Sequence, residues 1–279
     1  MLKGASLGAR SYGDPSVRPF ADIDLLTKPA DIAGARQFLL SEGFEREYSP
    51  AAEPALIRWG HALEFRRGSL KVEMHPGLIS HHLRFALTNE MVFADRSRIA
   101  CAGGEIDILS KPHEFLFLCA HGAKHGWESV RWIADLAQLG NKLTSDDAAA
   151  VTRLAAKLHA SRLLALGLCV MDDVLNARPA SFNREPPHAG QKLRELSGRV
   201  RRRIEVAAGG TMPGNAALTW NHSALSFWNA ARERWIDRVA SIAFVGMVPT
   251  EKDAKFGPLG WIGRPARIAF AAARGRLGA

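Results

Sequence analysis

Asp22 and Asp24 stand two residues apart in the run Arg18-Pro19-Phe20-Ala21-Asp22-Ile23-Asp24-Leu25-Leu26, which is otherwise apolar and strand-like. Successive side chains of a β-strand point to opposite faces, so the two carboxylates share one face while Ile23 and Leu25 turn toward a core. Paired like charges of this kind suit a divalent cation, since Mg²⁺ is commonly held by one or two carboxylates together with substrate phosphates. An exposed acidic strand edge explains the pattern equally well. Metal-assisted phosphoryl or nucleotidyl transfer ordinarily uses a third acidic group, because two cations must grip the attacking and leaving oxygens. Glu73 is the leading choice. Val72 and Met74 alternate with Lys71, Glu73 and His75, which puts Glu73 on the polar face of a later strand. It joins the aspartates if the two strands are neighbours, and otherwise reads as a solvated glutamate on a hairpin.

Lys3-Gly4-Ala5-Ser6 places a glycine and a small hydroxyl where a chain must approach phosphate closely, and it equally suits a plain turn or helix start. Arg18 either guides phosphate or fastens its loop onto the sheet. His121 and His125 lie i, i+4 on one helix face, a spacing that suits zinc when a third ligand converges. His-Gly-Ala-Lys-His lacks the intervening glutamate of metalloproteases, and imidazoles hydrogen-bonded between packed helices are the structural alternative. Asp135, four residues past Arg131, reads as half of a helix-surface ion pair.

The elements that must position these groups follow from periodicity. Lys28-Pro29-Ala30-Asp31 is a stop followed by an N-cap, with Ile32, Ala35, Phe38 and Leu39 at helical spacing up to Gly43. His61 to Arg66 and Leu70 to His75 form a hairpin around Gly68-Ser69, and residues 98–101 and 105–109 a second around Gly103-Gly104. Beyond Pro112 the signals are helical: residues 115–119, residues 130–139 closed by Gly140, then Thr144 to His159 and Ser161 to Asn176. Residues 178–190 and 209–221 read as linkers or long loops. The expected fold class is α+β, a small mixed β-sheet core with a C-terminal helical region. The expected units are 1–110, 111–205 and a Trp- and Arg-rich helical tail over 206–279.

Of 279 residues, 47% are hydrophobic, which is ordinary for a globular protein with a sizeable core. The net charge of +9 is spread along the chain with concentrations at residues 192–203 and 264–276, and it suits a polyanionic partner: nucleotide phosphate, nucleic acid or an anionic membrane surface. Cys101, Cys119 and Cys169 show neither a disulfide framework nor paired zinc spacing, so a reducing, cytoplasmic setting is expected. Residues 1–10 lack the apolar core of a signal peptide, and the longest apolar stretch, 239–249, is too short for a transmembrane helix. In the tail, Trp220, Trp228, Trp235 and Trp261 interleave with Arg232, Arg234, Arg238, Arg264 and Arg267. That mixture stacks on bases, anchors at a membrane surface, or simply marks amphipathic helices.

Taken together, Lys3-Gly4, Arg18-Pro19, Asp22-Ile23-Asp24-Leu25-Leu26, Val72-Glu73-Met74-His75, His121-x-x-Lys124-His125-x-Trp127 and Trp132-x-x-Asp135-Leu136 resemble the uncharacterised nucleotidyltransferase family of the polymerase β superfamily. The similarity extends over most of the chain, including Pro249-Thr250 through Arg264-Pro265-Ala266-Arg267. It implies a small mixed sheet with helices on one side, two Mg²⁺ bound by an Asp-x-Asp pair and a third carboxylate, and transfer of a nucleoside monophosphate from an NTP such as ATP. Asp22, Asp24 and Glu73 become the metal ligands, with Glu73 assisting deprotonation of the acceptor hydroxyl. Lys3, Gly4, Ser6, Arg18, Lys124 and His125 become nucleotide-binding residues. The acceptor is a small molecule, an RNA end or a protein side chain. The superfamily's glycine signature is usually Gly-Gly or Gly-Ser after an apolar strand. Here alanine follows Gly4 and Met1 leaves no room for that strand, so a first strand is expected to be missing. The rival expectations are a catalytically incompetent nucleotide-binding or regulatory module with the same fold, and a metallohydrolase using His61, His75, His121 and His125 with Asp24.

Overall fold

Strict alternation of apolar and polar residues folds here as a four-stranded mixed sheet. In the computed structural model, which describes residues 1–101, 104–182, 190–208 and 222–247, its strands are β1 (Ile23–Leu26), β2 (Glu45–Arg46), β3 (Leu63–Arg67) and β4 (Leu70–His75), in the order β1-β4-β3-β2. β3 and β4 form the expected hairpin, and β1 runs parallel to β4 with Asp24 opposite Glu73 and Leu26 opposite His75. The two-residue edge strand β2 carries no readable periodicity and is absent from the sequence expectation.

Alternation then sorts the two faces. Leu63, Phe65, Val72 and Met74 are buried on one side with Ile23 and Leu25 packed against them, and they meet Ile32 and Leu39 of helix α2 (Ile32–Ser41). Helix α3 (Glu53–Trp59) adds Leu56 and Ile57 to the same cluster. Asp24, Glu73 and Glu64 fall on the opposite face. Asp31 occupies the cap position of α2 but makes no side-chain cap bond, and residues 29–31 form a 3₁₀ turn instead.

A short helix α4 (Asn89–Ala94) leads into a separate hairpin, β5 (Arg96–Cys101) with β6 (Gly104–Leu109). From there the described residues are helical: α5 (Lys111–Lys124), α6 (Val130–Asn141), α7 (Ser145–Lys157), α8 (Ser161–Leu175), α9 (Gln191–Ala208), α10 (His222–Ala230) and α11 (Trp235–Met247). Thr144 caps α7 in a capping box with Asp147, which satisfies otherwise orphaned backbone donors at its start. Gly140 does not close α6 as expected but lies inside it. A Cβ at this position would collide with the Pro179 ring, so the glycine serves close approach rather than termination.

The larger apolar cluster is continuous from Leu2 and Leu7 through α5 and α8 to Trp228 and Ala231. Trp228 is buried with the Arg232 guanidinium 5.6 Å from its ring centroid, and Arg232 bonds Asp237 at 3.0 Å. Those two members of the Trp/Arg series are therefore core residues, whereas Trp235 is 71% exposed. Trp220, Trp261, Arg264, Arg267 and Gly103 lie outside the described residues. Among the described residues no helix is long and apolar enough to cross a membrane.

Candidate functional site

Asp24 sits at the floor of the sheet's polar face, 1% exposed, which overturns its reading as part of an exposed acidic edge. A buried carboxylate needs compensation. Lys3 Nζ lies 3.2 Å from its Oδ2, and His75 Nε2 lies 2.8 Å from its Oδ1. The parallel register sets Glu73 beside it, and Glu73 Oε2 is 3.5 Å from the same His75 nitrogen. Lys71 completes the row, 2.7 Å from Glu73 Oε1 and 2.9 Å from Glu64 Oε2.

These contacts divide the acidic residues electrostatically. Burial pushes the Asp24 carboxyl upward, but the hydrogen bond to His75 and the charge of Lys3 outweigh it and leave its pKa below the ordinary value. Glu73 is drawn down to about 2, chiefly by His75 and then, against burial, by Lys71. Burial opposes the charged form of His75, yet Asp24 and Glu73 together raise its pKa. Asp22 behaves oppositely: burial, then the charges of Asp24 and Glu73, raise it. It lies just before β1 rather than within it. Among the described residues, the ligand atoms of Asp24, Glu73 and His75 all fall within 4.8 Å of one another, a set that Asp22 does not join.

Beside this row opens a cavity of about 210 Å³. Lys3, Glu73 and His75 line its sheet side, Gly60, His61 and residues 77–80 its rim, and His121 and Lys124 of α5 with the C-cap residue His125 its far wall. Burial, reinforced by Lys3, lowers the Lys124 pKa to about 8. His125 is pushed down to about 4 by burial and then by Lys124, and His121 falls well below the usual histidine range for the same first reason. The two rings lie 4.8 Å apart against Trp132. Lys3 and Lys124 bring positive charge into the cavity beside Glu73, while burial holds His121 and His125 toward their neutral forms, a lining that accommodates a metal-bound polyphosphate.

The other predicted residues are placed as follows. Gly4 has φ +68° and heads the helical turn α1 (Ala5–Leu7), a conformation that a side chain makes costly. Ser6 is buried and its hydroxyl donates to the Lys3 carbonyl at 2.9 Å, away from the cavity. Arg18 is also buried, and its guanidinium forks onto Asp135 at 2.9 Å to each oxygen, so it fastens the loop rather than facing the carboxylates. Asp135 is fully buried and pairs with Arg18 and the Tyr12 hydroxyl, not with Arg131, which donates instead to the Pro19 carbonyl. Leu2 donates its N–H to the Asp24 carbonyl at 3.0 Å, so residues 1–3 lie along the outer side of β1 where a further strand was expected to be missing. His75 entered the sequence reading beside Glu73 in the strand alternation and the family-like run, but as a metal ligand only in the metallohydrolase alternative. The signal that would have found it is its place two residues after Glu73 on the same strand face.

Residues 1–176 match the family described as uncharacterised nucleotidyltransferase. The chain belongs to that family. No curated protein and no solved structure gives a match. The matched span ends just after α8, so the family unit comprises the sheet, both walls of the cavity and helices α1 to α8. The α+β architecture with a small mixed sheet agrees with that of a nucleotidyltransferase fold. All residues of the acidic row and of the far wall lie within the part shared with the uncharacterised nucleotidyltransferases.

Proposed function

We propose that the protein is a divalent-metal-dependent nucleotidyltransferase that transfers a nucleoside monophosphate from an NTP to an acceptor hydroxyl and releases pyrophosphate. The observation that carries this reading is the in-register pairing of Asp24 with Glu73 beside a cavity whose opposite wall holds Lys124 and His125. Asp22, Asp24 and Glu73 hold the cations, Mg²⁺ among the possible ions. When bound, such ions neutralise charge that builds on the phosphates and activate the attacking hydroxyl. Lys3 and Lys124 then position the triphosphate, and Gly4 lets the backbone approach it. Glu73, which His75 and Lys71 hold in its charged form, is suited to a cation ligand. Most of the rate enhancement comes from positioning and charge neutralisation, as in phosphoryl transfer generally.

α-Labelled NTPs incubated with the full chain, a divalent cation and cell extract test the reading. Label is expected in an acceptor, with pyrophosphate released, and Asp24→Asn is expected to lower transfer by at least about a hundredfold while nucleotide binding persists. Binding of nucleotide without transfer by the wild-type protein favours a regulatory module. Failure of the folded chain to bind any NTP sinks the enzyme.

A further inference from the structure

Each carboxylate of the row has one oxygen committed to a lysine and the other turned toward His75. Asp24 gives Oδ2 to Lys3 and Oδ1 to His75, while Glu73 gives Oε1 to Lys71 and Oε2 to His75. Building on the metal-dependent reading above, we propose that His75 Nε2 is itself a ligand of the cation held by Asp24 and Glu73. The site thereby selects a first-row transition cation such as Mn²⁺ over Mg²⁺.

The geometry supports direct coordination. Neighbouring ligands of an octahedral ion with bonds of about 2.1 Å stand about 3.0 Å apart. The Nε2 separations from Asp24 Oδ1 and Glu73 Oε2, 2.8 and 3.5 Å, bracket that edge, and the three ligand atoms already converge within 4.8 Å. Convergence is set by the sheet: β4 alternation puts Glu73 and His75 on one face, and the parallel register brings Asp24 alongside. The backbone of β1 and β4 holds the ligand set before any ion arrives, and on binding the ion takes the place of the proton shared by His75 Nε2 and Asp24 Oδ1, which passes to solvent. The donor chemistry decides the metal. Carboxylate and water suit Mg²⁺, whereas an imidazole nitrogen favours transition cations in the order of their intrinsic nitrogen affinity. Asp22 lies outside this convergent set.

Mn²⁺ titrated into the full chain, followed by electron paramagnetic resonance with spin-echo modulation, tests the assignment. Expected are a directly bound ¹⁴N coupling in the wild-type protein and Mn²⁺ binding at least about tenfold tighter than Mg²⁺ in competition. His75→Gln is expected to remove the coupling and most of the Mn²⁺ preference, and His125→Gln to retain both. The wild-type spectrum stands whether or not His75→Gln folds. Bound Mn²⁺ without nitrogen coupling, or coupling that persists in folded His75→Gln, overturns the role of His75 and leaves the metal-dependent reading intact. Absence of Mn²⁺ and Mg²⁺ binding, with or without NTP, overturns both.

Discussion

Two carboxylates of the same type, two residues apart, are held in opposite electrostatic states, and the difference is measurable. From spacing alone, removing either aspartate should relieve repulsion and leave stability unchanged or slightly raised. The structure separates them. Asp22 has a raised pKa from burial and from Asp24 and Glu73, so its ionised form is disfavoured in the fold and Asp22→Asn is expected to raise the melting temperature slightly at pH 8. Asp24 accepts from His75 and pairs with Lys3 inside the protein, and Asp24→Asn leaves both partners short of a counter-charge. A loss of about 2 kcal/mol is expected, the scale of a hydrogen bond to a charged group. Thermal melts of both variants without added metal check this. Equal shifts would mean that Asp24 is not held as described.

At the scale of elements, the loop that delivers Asp22 to the sheet is tied to the helical region by a buried ion pair, with Arg131 donating to the Pro19 carbonyl beside it. Arg18 and Asp135 are 117 residues apart in sequence, both buried, and joined by two 2.9 Å bonds, with Tyr12 donating to the same carboxylate at 3.0 Å. Asp135→Ala leaves a buried guanidinium without its partner, and about 3–5 kcal/mol of stability is expected to be lost in denaturant titrations. Paired replacement of Arg18 and Asp135 by apolar residues of similar size should recover much of that loss. If the single variant costs under about 1 kcal/mol, the pair is solvated and the loop is held some other way. This tie also shows what was legible beforehand. Local alternation revealed β1, β3, β4 and the likeness of Glu73 to a third carboxylate, because a period of two is written in adjacent residues. The helices α5 to α8 were readable because their i, i+3, i+4 recurrence is also local. Neither the partner of Arg18 nor the burial of Asp135 has a local signature, so Asp135 read as half of a surface pair with Arg131. Edge strand β2 and the short helices α3 and α4 fall below the length at which periodicity speaks.

Across the whole molecule, the cavity lies where the sheet meets the helical region, and the histidines at the C-terminal end of α5 make that junction sensitive to acid. His121 and His125 have depressed pKa values, in each case first through burial and then through neighbouring cations, among them Lys3 and Lys124. A histidine whose folded pKa lies below its unfolded value of about 6.5 contributes stability that is present above that value. The contribution is lost as pH falls through the folded pKa, because the unfolded chain takes up protons that the folded one refuses. For His125 the window runs from about 6.5 down to about 4, and His121 extends the same slope lower. The melting temperature is therefore expected to fall between pH 6.5 and 4 more steeply than in His125→Gln, whose neutral amide removes one of the two protonations. The shifted imidazoles also imply that an anion in the cavity opposes their depression. Polyphosphate or NTP should thus flatten the wild-type slope while leaving the slope of a Lys124→Met variant nearly unchanged. Identical slopes for wild type and His125→Gln would show that the ring is solvated and that the wall of α5 does not close over the cavity.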